Sequence, residues 1–271
     1  MKVEVAGEPP EELTREALVS IVPAAAGPRG WVDRMYPYPH IRGGQAIVDD
    51  SDDNGCTANM TGVGAGPTYY VITAGHCGFA NDDWYEGCSY TLGQCPGYFS
   101  TSNTTSWLSI HKDQGGNFVS GTTCDCRYIG SISSTRAINA IYTTSTTSYT
   151  ITGLGLASSL AQGDVLCDSG AGTDSNGGHT GTAYGVLCGS VESNDATSQN
   201  LYDATYGYSA YFIHQIRMAI TVYGGDSGAP LFNEPTLYGL CSQAAGSGHS
   251  YWSTVGSVRS TLGVTPLTYA V

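Results

Sequence analysis

Val222-Tyr223-Gly224-Gly225-Asp226-Ser227-Gly228-Ala229-Pro230-Leu231 sets glycines on both sides of one Asp-Ser pair. A serine hydroxyl is a poor nucleophile alone. It becomes a good one when a neighbouring base takes its proton and hydrogen-bond donors await the oxyanion. Gly225 carries no side chain, so its N–H can face a reacting carbonyl beside the N–H of Ser227. Read by itself, the run is equally a turn in a glycine-rich β protein.

A second stretch decides between the two. Tyr69-Tyr70-Val71-Ile72-Thr73-Ala74-Gly75-His76-Cys77 carries an apolar strand into a small-residue turn and delivers a histidine beside a cysteine. In this order, Thr-Ala-Gly-His-Cys and Gly-Asp-Ser-Gly-Ala-Pro resemble the motifs of the chymotrypsin-like serine proteases. The resemblance is to their secreted bacterial branch, that of alpha-lytic protease and the streptogrisins. It implies an all-β chain of two six-stranded Greek-key barrels, an active site between them and a short C-terminal helix near residues 253–262.

Composition narrows the class independently. The chain has 271 residues, enough for one or two domains. Lys+Arg is 10 against Asp+Glu 23, a formal net charge of -13, which argues against nucleic acid or an anionic membrane as partner. Only 12% of residues are charged, while 37 glycines and 19 tyrosines favour a β protein rich in turns. No apolar run reaches the roughly 18 residues of a transmembrane helix. Met1-Lys2-Val3-Glu4-Val5 lacks the basic start and apolar core of a signal peptide, at odds with the secreted, extracellular character that the resemblance implies. The nine cysteines give no recognised zinc spacing, so no metal is expected. Disulfides suit a secreted β protein better.

Residues 1–40 differ from the rest. Glu8-Pro9-Pro10-Glu11-Glu12-Leu13 opens a short helical pattern, and Tyr36-Pro37-Tyr38-Pro39 reads as linker. The segment is either a propeptide remnant, as in a zymogen, or a flexible tail. Ile41-Arg42-Gly43-Gly44-Gln45-Ala46-Ile47 resembles the mature start of the bacterial enzymes. The resemblance therefore implies a protease domain over 41–271, with barrel 1 at about 41–145 and barrel 2 at about 146–271. Short strands are predicted at 69–73, 128–132, 137–142, 148–152 and 186–191.

The resemblance assigns His76 as general base and Ser227 as nucleophile. The family order His…Asp…Ser places the carboxylate between them. Asp125, opening an apolar strand in Thr123-Cys124-Asp125-Cys126-Arg127, is the choice, and Asp113 is the runner-up. Gly225 and Ser227 would supply the oxyanion N–H groups. An α/β-hydrolase is set aside, because Ala229 breaks Gly-x-Ser-x-Gly and little chain follows His249. Asp226 needs a partner once buried. The relatives use an arginine after the cysteine of a Cys-Arg-Ser-Gly motif, but here the motif is Cys167-Asp168-Ser169-Gly170. Arg42, Arg217 or an amino terminus freed at Ile41 could serve instead.

The resemblance also implies a Cys56–Cys77 bridge. Cys167–Cys188 is the next pairing, and a loop of this size contributes about 3 kcal/mol in the entropic account. Cys88 could pair with Cys95. Cys124 and Cys126, two apart on one strand face, are not expected to bridge each other, so one would reach Cys88 or Cys95. Cys241 is expected as a buried thiol. By resemblance, Thr221, Ser242, Gln243 and Ala244 line the substrate site. Thr221 stands where trypsin-like enzymes have an aspartate, and Cys241 where glutamate-specific members have a histidine, so a neutral or apolar residue is expected before the scissile bond. The expected state is a monomer acting on polypeptide, without cofactor, with its own N-terminal segment as a further partner. The alternative is an inactive fold retained as a binding module. Asn59-Met60-Thr61 and Asn103-Thr104-Thr105 match glycosylation acceptors.

Overall fold

The structure is a computed structural model describing residues 39–49, 55–78, 83–86, 97–101, 121–143, 147–172, 186–199, 201–203, 208–246 and 248–271. Nearly all of the 1–40 segment lies outside these, as do Cys88, Cys95, Asn103 and Asp113.

The first half holds β1 (Ile41–Gly43), β2 (Ala46–Asp49), β3 (Gly55–Thr57), β4 (Met60–Val63), β5 (Tyr69–Thr73), β6 (Asp83–Glu86), β7 (Gly97–Thr101), β8 (Arg127–Ile132) and β9 (Ala137–Tyr142). Tyr-Tyr-Val-Ile-Thr is β-branched or aromatic at every position, and Ala-Ile-Asn-Ala-Ile-Tyr at half of them, which suits a pleated, half-buried surface. The second half holds β10 (Ser148–Thr150), β11 (Gly153–Leu154), β12 (Val165–Asp168), β13 (Leu187–Ala196), β14 (Leu201–Asp203), β15 (Tyr208–Ala210), β16 (Gln215–Met218), β17 (Pro230–Asn233), β18 (Thr236–Ala244) and β19 (Ser250–Thr254). Helix α1 (Val255–Leu262) and β20 (Thr265–Pro266) end the chain. The expected strands 69–73 and 137–142 have these bounds. The strand expected at 186–191 runs on to Ala196, and residues 253–254 complete β19 rather than begin the helix.

Two four-stranded sheets, β3-β2-β6-β7 and β20-β4-β5-β8, enclose the first core. It contains Ile47, Val71, Ile72, Trp84 and Ile129, with Leu240, Val258, Val264 and Leu267 arriving from late in the chain. In the second half, β18-β17-β12-β13-β16-β19 closes on itself through the β18–β19 pairing, and β11 adds to the edge of β18. This six-stranded barrel packs Leu166, Val191, Ile216, Met218, Leu231 and Trp252. Met60, Ile141, Phe232, Leu237 and Val255 form a third cluster shared by both halves. Asn59 is buried there and donates to the carbonyls of Ala229 (3.4 Å) and Gly239 (3.1 Å), so its side chain joins the halves rather than carrying sugar.

Candidate active site

Strands β5 and β8 are antiparallel, with Thr73 opposite Arg127. The chain therefore leaves β5 and enters β8 at the same end. His76 follows Thr73 by three residues, and Asp125 precedes Arg127 by two, so the ladder delivers both to one corner. His76 Nδ1 lies 2.7 Å from Asp125 Oδ2, and the His76 backbone N–H donates to Asp125 Oδ1 at 3.1 Å. Asp125 is fully buried. An ionised carboxylate only accepts, so Nδ1 carries the proton and Nε2 is left to accept. Ser227 Oγ stands 2.7 Å from Nε2.

The serine is held from both halves. Thr57 N–H donates to the Ser227 carbonyl (2.8 Å), Thr57 Oγ1 donates to the Gly225 carbonyl (2.6 Å), and Gly228 N–H donates to the Cys241 carbonyl (2.8 Å). Gly225 has φ 97°, and a Cβ there would stand 3.1 Å from Gly172 Cα. At Gly228 (φ 88°) a Cβ would reach 2.2 Å from Thr73 Oγ1. Both positions need glycine. Among the described residues, the N–H groups of Gly225 and Ser227 donate to no protein acceptor, which leaves both for an oxyanion.

Asp226 is buried and accepts the N–H groups of Gly172 (2.7 Å) and Tyr223 (2.8 Å). Its carboxylate presses on Gly170, where a Cβ would fall 1.9 Å from Oδ1. The partners foreseen from sequence are engaged differently. Arg217 pairs with Glu192 at 2.9 Å, and Arg42 donates to Tyr142 Oη at 2.9 Å. Ile41 is buried in β1, in register with Ala137. Arg127 is buried with its guanidinium 5.9 Å from the Trp84 ring centroid.

A cavity of about 330 Å³ opens beside His76 and Ser227. Val222, Tyr223 and Gly224 form one wall, and Cys241, Ser242, Gln243 and Ala244 of β18 form the other. Thr221 is half-buried and is not on the lining; the wall begins one residue later. Gln199 joins the rim, its carbonyl accepting from Gln243 Nε2 at 3.1 Å. Burial, then the carboxylates of Asp168, Asp226 and Asp125, hold the Cys241 thiol well above the usual thiol range. Among the described residues, no group of three or more His, Cys, Asp or Glu is placed to hold a metal ion.

Cys56–Cys77 and Cys167–Cys188 are both bridged, with Cα separations of 6.1 and 4.0 Å, and Cys241 is a buried free thiol. Cys124 and Cys126 depart from expectation by bridging each other. The strand assumed for them starts only at Arg127. Off the strand, their Cα atoms approach to 5.4 Å, within disulfide range. Sequence reasoning gave Ser242 only a place on the substrate site and missed the network behind Asp125. Ser242 Oγ donates to Oδ2 (2.9 Å), Asp125 N–H donates to Ser253 Oγ (3.0 Å), and Ser253 Oγ donates to Gln215 Oε1 (3.2 Å). No motif marks them, because they arrive from β16, β18 and β19.

No family model matches the chain, and no curated protein matches it. Solved structures do. Thermobifida fusca protease A is similar at TM-score 0.57 and 18% identity, over 85% of this chain and all of that one. Nocardiopsis protease is similar at 0.57 and 17%, over 84% and 98%. Cellulomonas bogoriensis chymotrypsin is similar at 0.56 and 17%, over 85% and 100%. The chain thus has the two-barrel fold of the bacterial chymotrypsin-like serine proteases.

Proposed function

We propose that this chain is a secreted serine endopeptidase that cleaves peptide bonds through an acyl-enzyme, with His76, Asp125 and Ser227 as its triad. The observation that carries the reading is the unbroken run from Asp125 to His76 to Ser227, both links 2.7 Å. His76 Nε2 takes the Ser227 proton as Oγ attacks the scissile carbonyl. The N–H groups of Gly225 and Ser227 receive the oxyanion, and losing one such donor typically costs about 10²–10³ in rate. His76 then protonates the leaving amine, and water repeats the sequence on the acyl-enzyme. Asp125 stays ionised, fixing the tautomer and stabilising the imidazolium.

Substrate backbone adds to Gln243 and Ala244 as an extra strand. Among the described residues lining the cavity there is no Asp, Glu, Lys or Arg, which favours a neutral or apolar residue before the scissile bond. Three bridges among the described residues fit an oxidising, extracellular compartment. The enzyme acts as a monomer, without metal or organic cofactor. Residues 1–40 act as its propeptide and 41–271 as the protease domain.

The test is intact mass after fluorophosphonate treatment, on wild type and Ser227→Ala, each with and without residues 1–40. One adduct on wild type and none on the variant is expected, with labelling faster once 1–40 is removed. No adduct on any folded form would overturn the hydrolase reading in favour of a binding module.

A further inference from the structure

Asp125 sits inside a disulfide ring. Cys124 and Cys126 flank it directly, and all three residues are buried. Loop-closure stabilisation grows with the number of residues enclosed, so a bridge across one residue does little for the fold as a whole. What it fixes is the backbone of the enclosed residue. The β8 ladder starts only at Arg127, so Asp125 lies outside it. Upstream, single hydrogen bonds hold the chain: Ile213 N–H to the Thr122 carbonyl (2.9 Å), Gln215 Nε2 to the Thr123 carbonyl (3.0 Å) and Asp125 N–H to Ser253 Oγ (3.0 Å).

Asp125 must meet several elements at once, through its carboxylate and its backbone N–H. His76 in the turn after β5, Ser242 on β18 and Ser253 on β19 all contact Asp125, at 2.7 to 3.1 Å. Displacement by about an ångström breaks such contacts, and misplacement on this scale typically costs about 10²-fold in rate.

We propose that the Cys124–Cys126 bridge is a positioning clamp for Asp125 and makes catalysis conditional on the oxidised state of this pair; the catalytic half rests on the hydrolase reading above. Opening the bridge takes two electrons and two protons and yields two thiols. A trialkylphosphine supplies the electrons, water supplies the protons and the oxygen, and the phosphine leaves as its oxide. The nearby free thiol, Cys241, is held protonated by its surroundings and so is a poor attacker of the bridge.

The experiment compares the full chain as wild type, Cys124→Ala/Cys126→Ala and Asp125→Asn. Three readouts are taken: the fluorophosphonate labelling rate, the melting curve, and the proton NMR signal of the His76 Nδ1–H bonded to Asp125. The clamp predicts a double variant that melts cooperatively, labels at least tenfold more slowly than wild type, and has lost or displaced its His76 proton signal. Wild-type labelling with an unchanged proton signal would overturn it, and so would a slowing that merely tracks the unfolded fraction. If the double variant does not fold, wild type is titrated with phosphine while mass mapping follows each bridge. Loss of the His76 signal as Cys124–Cys126 opens, and its return on reoxidation, supports the clamp; persistence overturns it. A wild type that never labels would sink the hydrolase reading alone, since the His76 proton still decides whether the bridge positions Asp125.

Discussion

At the scale of single residues, the site is built around buried acids. Asp125 and Asp226 are both fully buried, and each has backbone N–H donors among its partners. Such bonds lower the cost of a buried carboxylate. For Asp226 the sequence pointed to arginines or a freed terminus. The space comes instead from the glycines at 170 and 172, whose missing side chains admit the carboxylate, and the donors are the N–H groups of Gly172 and Tyr223. Cys241 lies near both acids and Asp168, and burial with their charges raises its thiol pKa. The folded chain then keeps this proton above pH about 8.5, where an unfolded thiol releases it. Its contribution to stability is complete below that pH and is lost as pH rises, by up to about 1.4 kcal/mol per unit. Melting temperatures of wild type should therefore fall more steeply between pH 8 and 10.5 than those of Cys241→Ser. Parallel curves would mean that the thiol ionises in the folded state.

At the scale of elements, one antiparallel ladder and one helix do most of the placing. The β5–β8 register brings His76 and Asp125 to the same corner, and β17–β18 carry the serine loop and the pocket wall. Helix α1 joins the halves, with Val258 in the first core and Val255 in the shared cluster. Its first turn is capped by Thr254, whose hydroxyl accepts the Ser257 N–H at 3.0 Å, and it ends at Gly263 in the left-handed region. Thr254→Ala should cost about 1 kcal/mol in urea unfolding. A change below about 0.3 kcal/mol would show that water replaces the cap. Sequence periodicity marked this helix only weakly. Its apolar side is two residues wide because both halves of the molecule share it.

At the scale of the whole molecule, the chain's end returns to its beginning. Strand β20 pairs with β4, Leu267 N–H donates to the Thr61 carbonyl at 3.0 Å, and Val264 and Leu267 are buried in the first core. Deleting residues 264–271 should therefore destabilise the first half, by about 4 kcal/mol or more, since each lost core aliphatic typically costs about 2–5 kcal/mol. Denaturant unfolding of the truncated chain checks this, and an unchanged midpoint would contradict it. The sequence alone determined the β class and the strands at 69–73 and 137–142, because strand propensity and turn residues are local properties, and through motif resemblance it singled out His76, Asp125 and Ser227, which the fold brings together. The resemblance also pointed to the Cys56–Cys77 bridge, and Cys167–Cys188 was the next pairing expected. Tertiary structure alone decided that Cys124 closes on Cys126, that Ser242, Ser253 and Gln215 stand behind Asp125, that the pocket wall begins at Val222 rather than Thr221, and that Asp226 meets backbone N–H groups. Each of these depends on where strands far apart in the chain come to lie and on the space glycines leave between them. Such distances are set when the two cores pack, and no local pattern of residues encodes them.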